Sequence, residues 1–473
     1  MVEINILGIL AIFGFTIMIG YIGSLIFNKT RIPDVFWLLL FGFFLGPILG
    51  FADRQMFLLV TPFLSSIALL IILFDAGLHL NFYQLIRGAP RSTLLAIVNI
   101  VLGTFVIGGI SIYIFNTDML TGLLIGVMLG GTSSPIVLSI VNKLSIRSQI
   151  KTLLSLESIF TDALVIVIAI ALMNIIAFTE IAVSPVQAVV SSFSIGAVFG
   201  LFFGILWLFV LEKLKGKSFD YMLTLAALFL IYVSVEVLAG SGAIASLLFG
   251  MVLGNGKIFS NIMKTRMMVG ADHLLKTFQS EVSFFIRSFF FVLLGIIFVF
   301  TSDFVVILFY GVFISLILIV LRFVAVQFSV IKMKVDKHDM NMMRIMTPRG
   351  LAPAVLAQIA FTYAIPGAEL ISNIILVVIL ITVLYTSFSV RFLSKKMTYG
   401  GKPKLQREYK LANRELKSIE KKELKKEYSL AKRELKTIEK KEKELGGSKK
   451  SLHHKIKHKL KKKKVRHLYF TPK

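Results

Sequence analysis

Two carboxylates stand five residues apart in an apolar run, Glu157-Ser158-Ile159-Phe160-Thr161-Asp162-Ala163. Asp162 lies about ten residues into its run, on the order of 15 Å at 1.5 Å per residue, which is close to a bilayer midplane. Thr161 is its polar neighbour, and Ser158 shares its helix face at i,i+4 spacing, while Glu157 points to an adjacent face. Out of water a carboxylate favours its neutral, protonated form, and a cation beside it favours the charged one. A group so placed can exchange a proton for a metal cation. Glu157 fits a plainer task, anchoring a helix through an ion pair.

Three arginines fall within apolar runs: Arg287, Arg322 and Arg349. Arg322 either snorkels to the membrane surface or neutralises Glu157 inside a bundle. Arg349 sits in the interruption Thr347-Pro348-Arg349-Gly350-Leu351-Ala352-Pro353, where a positive charge offsets the negative ends of helix dipoles. Asp75, in Phe74-Asp75-Ala76-Gly77-Leu78, is a ligand if its helix runs on to Tyr83 and an entry-funnel charge if the helix stops at His79. Glu236, before Gly240-Ser241-Gly242, reads as structural.

These groups need a membrane around them, and the composition supplies one. Of 473 residues 56% are hydrophobic and 16% charged, against about a quarter charged in soluble chains. Thirteen apolar runs of roughly membrane length are expected at 5–27, 34–50, 57–79, 91–115, 119–142, 152–178, 185–211, 219–238, 242–257, 281–301, 303–328, 342–365 and 370–396. The first lacks a basic leader and a small-residue cleavage pattern, so it reads as a span rather than a signal peptide. Alternate loops carry the basic residues, including Arg31, Arg87, Arg147 and Lys213, while the others hold Asp53, Asp118, Glu180 and Asp303. By the positive-inside rule the N-terminus is outside and the C-terminus cytoplasmic, in the cell membrane.

The fifth and twelfth runs are interrupted, by Gly130-Gly131-Thr132-Ser133-Ser134-Pro135 and by the Arg349 segment. Unwound backbone at membrane depth survives only where protein or a watery cavity satisfies it. If the chain is six spans, a linker and six spans, both interruptions are fifth in their halves, and the halves enter from opposite sides. Matched broken helices in inverted halves point to a transporter's binding site.

The same residues resemble the monovalent cation/proton antiporter superfamily, in its NhaP-like and eukaryotic sodium/proton exchanger branch. Glu157-Ser158-x-x-Thr161-Asp162-Ala163 is similar to that branch's E-S-x-x-N-D-A motif, and Phe74-Asp75-x-Gly77-Leu78 to its F-E-x-G-L. Thr132-Ser133-Ser134-Pro135 resembles its T-D-P break and Arg349-Gly350 its R-G-A segment, with Glu236 to Gly242 a weaker match. The resemblance covers about residues 5–396. It implies an all-α membrane fold with two inverted repeats and crossed broken helices. It also implies a dimerisation domain, hence a homodimer, against which a core of helices moves.

By that resemblance Asp162 binds the ion and the proton, with Ser158 and the Thr132 backbone as oxygen ligands and Glu157 paired to Arg322. Thr161, Ser133 and Asp75 depart from the branch's Asn, Asp and Glu. Thr161-Asp162 is also not the Asp-Asp pair of electrogenic relatives, so one proton per cation is expected. The Ser133-Ser134 pair drifts toward the potassium-efflux branch, leaving Na+ first and K+ second as the ion. No cofactor is called for: oxygen ligands suit a hard cation, Cys is absent, and no phosphate loop appears. A cation channel or a tail-gated K+ efflux pathway using the same carboxylate is the competing class, since it would carry cations without coupled protons.

The body, 1–400, is followed by a basic tail, 401–473, holding 27 Lys and Arg against nine Glu. Residues 408–423 and 427–442 repeat, with apolar positions in a 3-4-3 spacing that predicts a charged amphipathic helix. A Lys/His-rich end follows. The tail is either drawn to anionic lipid of the inner leaflet or a solvated extension, and no nucleic-acid partner is expected.

Overall fold

The computed structural model describes residues 6–400 apart from 31, 52–53, 81–89, 145, 178–184, 215–216, 218, 263–272, 299–303, 332 and 334. The repeat and basic end of the tail, and the loop residues Arg31, Asp53, Arg87, Glu180 and Asp303, lie outside the described residues. Helices fall on all thirteen apolar runs. The first half holds α1 (Ile6–Thr30), α2 (Asp34–Phe43), α3 (Arg54–His79), α4 (Pro90–Leu102), α5 (Gly108–Phe115), α6 (Met119–Met128), α7 (Ser134–Val141) and α8 (Ser148–Ala177). Then come α9 (Pro185–Leu214), α10 (Asp220–Val237), α11 (Gly242–Gly254), α12 (Gly256–Ile262), α13 (His273–Ile297), α14 (Phe304–Ser329), α15 (Lys337–Ile345), α16 (Leu351–Thr362) and α17 (Ala368–Gly400).

Among the described residues nine helices are long and apolar enough to cross a membrane, and four further apolar helices are shorter. The chain is a multi-pass, all-helical membrane protein. Two of the short helices, α6 and α16, are halves of interrupted runs. A third is α2, prolonged by a π-helical turn over Phe44–Ile48 that contains Pro47. Proline lacks the N–H and crowds the preceding turn, which widens the helix there. A second π-helical turn, Gly103–Ile107, joins α4 to α5.

α8 is enclosed on all sides where its charges lie: every residue from Leu156 to Ala163 is buried. Helices α4, α6, α7 and α16 pack around it. That explains why its sequence shows no polar stripe, since a helix surrounded by protein has no solvent face to mark. One tight approach sets the frame. A Cβ on Gly103 would lie 2.6 Å from the Gly130 Cα, so α4 reaches the first interruption only because both positions are glycine. Where α3 ends is also settled: it stops at His79, and Leu80 N–H closes onto Ala76 and Gly77 carbonyls. Asp75 therefore lies in the last turn, away from the helix centre.

Candidate functional site

The two interruptions meet. Ser133 N–H, between α6 and α7, donates to the Pro348 carbonyl, between α15 and α16, at 2.9 Å. A Cβ on Gly350 would fall 2.2 Å from Ser133 Oγ, so the contact requires glycine there. Side chains from neighbouring helices accept from further backbone donors at the two breaks. Thr132 N–H donates to Thr161 Oγ1 at 3.1 Å, Ser134 N–H to Asp162 Oδ2 at 2.8 Å, and Arg349 N–H to Thr382 Oγ1 at 3.0 Å. Orphaned peptide groups in a dry interior cost several kcal/mol each by rough estimate, and these four donors are all satisfied. The polar residues of α8 thus hold the first break open as well as facing it.

The two carboxylates of α8 live differently. Glu157 is fully buried and saturated. Arg322, itself 1% exposed, grips it with Nη1 to Oε1 at 2.9 Å and Nη2 to Oε2 at 3.3 Å. Asn99 Nδ2 and Thr132 Oγ1 add hydrogen bonds to Oε1 at 2.9 and 3.1 Å. Arg322 Nε is tied to the Met343 carbonyl at 3.1 Å, which closes the snorkelling alternative. A forked, doubly supported pair of this kind is geometrically specific.

Asp162 receives both of its hydrogen bonds from one residue, Ser134: the backbone N–H at 2.8 Å and Oγ at 2.6 Å. Ser134 is the first residue of α7, with Pro135 behind it fixing the first turn. Asp162 thus sits on a helix N-terminus, where free N–H groups and the dipole favour negative charge. Among the described residues it makes no ion pair within 4.0 Å. Arg349, 3% exposed, is in electrostatic reach of Asp162, Glu157 and Arg322, and its Nε and Nη1 have no hydrogen-bond partner.

The structure brings Asp162, Thr161, Thr132, Ser133, Glu157, Arg322 and Arg349 to one place. Ser158 is buried there too, but its hydroxyl donates to the Ser155 carbonyl of its own helix at 3.0 Å. Asp75 stands apart. Its Oδ1 is 3.5 Å from His79 Nδ1 and makes no hydrogen bond, and no contact links it to Asp162. Glu236 caps α11, accepting from Gly242 N–H at 2.8 Å. Three residues escaped the sequence reading as site members: Ser134, Asn99 and Thr382. Ser134 was marked by Pro135, which sets where α7 starts; Asn99 was one polar residue in an apolar run.

A family model described as "Sodium/hydrogen exchanger, transmembrane" matches residues 14–396. The "K(+)/H(+) antiporter NhaP" of Alkalimonas amylolytica is 25% identical over 388 residues, 80% of this chain and 65% of that protein. The "K(+)/H(+) antiporter NhaP2" of Shewanella baltica is 27% identical over 327 residues, 68% and 54% of the two chains. The chain thus spans less than two thirds of the length of these relatives. The solved structure of the sodium proton antiporter MjNhaP1 from Methanocaldococcus jannaschii at pH 8 superposes with a TM-score of 0.68 at 21% identity. It covers 82% of this chain and 98% of that one, and shows the fold.

Proposed function

Because the chain belongs to the sodium/hydrogen exchanger family, we propose that it is a secondary antiporter exchanging H+ for Na+ or K+ at Asp162. The observation that carries this reading is the buried Asp162 carboxylate on the first turn of α7, held among the described residues by Ser134 alone. The relatives' names divide between K+/H+ and sodium/proton antiport, so the ion is the first thing to measure.

Asp162 holds either a proton or a cation. Oxygen ligands for the cation come from Asp162, with the Thr132 backbone, Thr161, Ser158 and Ser133 around it, a set suited to a hard ion. Ser134 steadies the empty, charged carboxylate and gives way when a cation or proton takes the charge. Glu157 and Arg322 cancel one another and clamp α8 to α14. Arg349 balances the second carboxylate, so the four fixed charges sum to zero when Asp162 is ionised. One proton or one monovalent cation then brings the site to the same charge. Both crossings carry equal charge, and the exchange is electroneutral at one to one.

Coupling requires that only the loaded state, with the Asp162 carboxylate itself neutralised by a proton or a cation, moves between faces. Alternating access by a moving core, a homodimeric assembly and Asp75 as an accessory charge follow from the family resemblance. The loop charges favour an outside N-terminus and a cytoplasmic tail in the cell membrane, with the tail's basic residues drawn to anionic lipid.

The test is proton movement in proteoliposomes loaded with acid and given Na+, K+ or Li+ in turn. Cation-dependent proton efflux abolished by a protonophore, with apparent cation KM rising as pH falls, supports competition at one carboxylate. Cation flux without coupled proton movement replaces antiport by a channel.

A further inference from the structure

A cavity of about 420 Å³ opens between α1, α2 and α13 on one side and α7 on the other. Its wall on the α7 side includes Pro135, Ile136 and Ser139, so it ends within one residue of Ser134, which holds Asp162. The opposite wall carries charge: Asp34 in the first turn of α2 and Arg287 in α13. An entry path for cations gains from negative lining, because fixed charge on low-dielectric walls raises the local concentration of the opposite ion. Here the one lining carboxylate is neutralised.

Arg287 Nη2 donates to Asp34 Oδ2 at 3.1 Å, with side chains only 19% and 15% exposed. Asp75 on α3 lies outside the cavity lining, with His79 Nδ1 at 3.5 Å from its Oδ1. Arg287 Nε and Asp75 Oδ1 are both buried atoms without a hydrogen-bond partner. The arginine thus holds Asp34 through one N–H while its Nε stays without a partner. Lys143 is a second basic residue on the cavity wall, stacked over the Phe27 ring at 4.2 Å. A pure cation attractor at Asp34 would need no arginine beside it.

We infer that Arg287 is a positioning residue that sets cation affinity at the cavity face by masking Asp34 from the path to Asp162. The masking keeps the path from retaining cations that must leave on each cycle. This rests on the antiport reading above, and the test separates the two. Cation KM is measured from each face in proteoliposomes carrying the full chain, with Na+ and K+ as probes. Arg287→Gln bares Asp34 and is expected to lower KM at the cavity face by about threefold or more, with maximal rate changed less than about twofold. Asp34→Asn leaves Arg287 unmatched and is expected to move KM the opposite way, upward. Arg287→Lys keeps the wild-type value.

Opposite signs are the signature of charge; damage to packing moves both variants the same way. Equal or same-direction shifts in the two variants, or shifts of equal size at both faces, overturn the assignment. If Arg287→Gln does not fold, the sign at Asp34→Asn decides alone, since a fall or no change there refutes masking. Loss of coupled exchange in the wild type would instead remove the antiport reading, a distinct outcome.

Discussion

Glu157 and Asp162 share a helix, a burial depth and a carboxylate, yet differ in how completely they are satisfied. Glu157 has an arginine on both oxygens and two further donors, from α4 and the first break. Asp162 has a serine on one oxygen and a helix N-terminus behind it. Saturation makes the first a fastener: moving its charge would strand Arg322, and leaving one buried charge unpaired is far costlier than keeping the pair. The sparer environment makes the second exchangeable, because a proton or a cation can replace what Ser134 supplies. The proposed exchange lies where a buried charge is under-supported.

Glu157→Gln tests the fastener most severely. It should cost about 3–5 kcal/mol by uncovering Arg322, read as a loss of folded protein in detergent and a lower unfolding temperature. Removing both charges in Glu157→Gln/Arg322→Met should recover part of that loss. Recovery of stability without recovery of transport would sharpen the contrast; no recovery would mean that the Asn99 and Thr132 contacts matter more than charge.

Ser134→Ala keeps the backbone N–H on Asp162 and deletes the hydroxyl. Hydrogen bonds to charged groups contribute roughly 1.5–3 kcal/mol, and this one supports the empty carboxylate, so at alkaline pH apparent cation KM should fall by about tenfold, while folded yield is unchanged. A stability loss there as large as that of Glu157→Gln would erase the distinction between the two carboxylates. Asp75→Asn is expected to have the smallest effect. Apparent KM should rise about two- to threefold through the lost long-range charge, measured in the same flux assay. Abolished transport would place Asp75 inside the site despite its position beside His79.

Much of this was legible beforehand, for identifiable reasons. Length and hydropathy located the helical segments because a bilayer fixes both. Asp162 stood out because an ionisable residue at midspan must be justified by function or partner. Glu157 with Arg322 could be read as a pair across 165 residues because few basic groups lie at depth to choose from. What escaped was lateral. Periodicity orders residues along one helix and says nothing of which hydroxyl in Thr132-Ser133-Ser134 turns toward a neighbour. Ser133 was the natural candidate, but its N–H serves Pro348 while Ser134 serves Asp162. Asn99 was invisible for the same reason, its role set by α4 touching the break at Gly103 and Gly130. Asp75 depended on where α3 ends, and hydropathy cannot place a helix terminus to within one turn.

The most direct measurement sets Asp162→Asn beside the wild type, recording unfolding temperature and cation-driven proton efflux on the same preparations. An amide keeps the shape and the hydrogen-bonding capacity but can hold neither exchangeable proton nor cation charge. The expected result is an unfolding temperature at or above that of the wild type with coupled exchange abolished. Proton efflux persisting in Asp162→Asn with unchanged cation dependence would contradict the assignment and move the exchangeable charge to another residue.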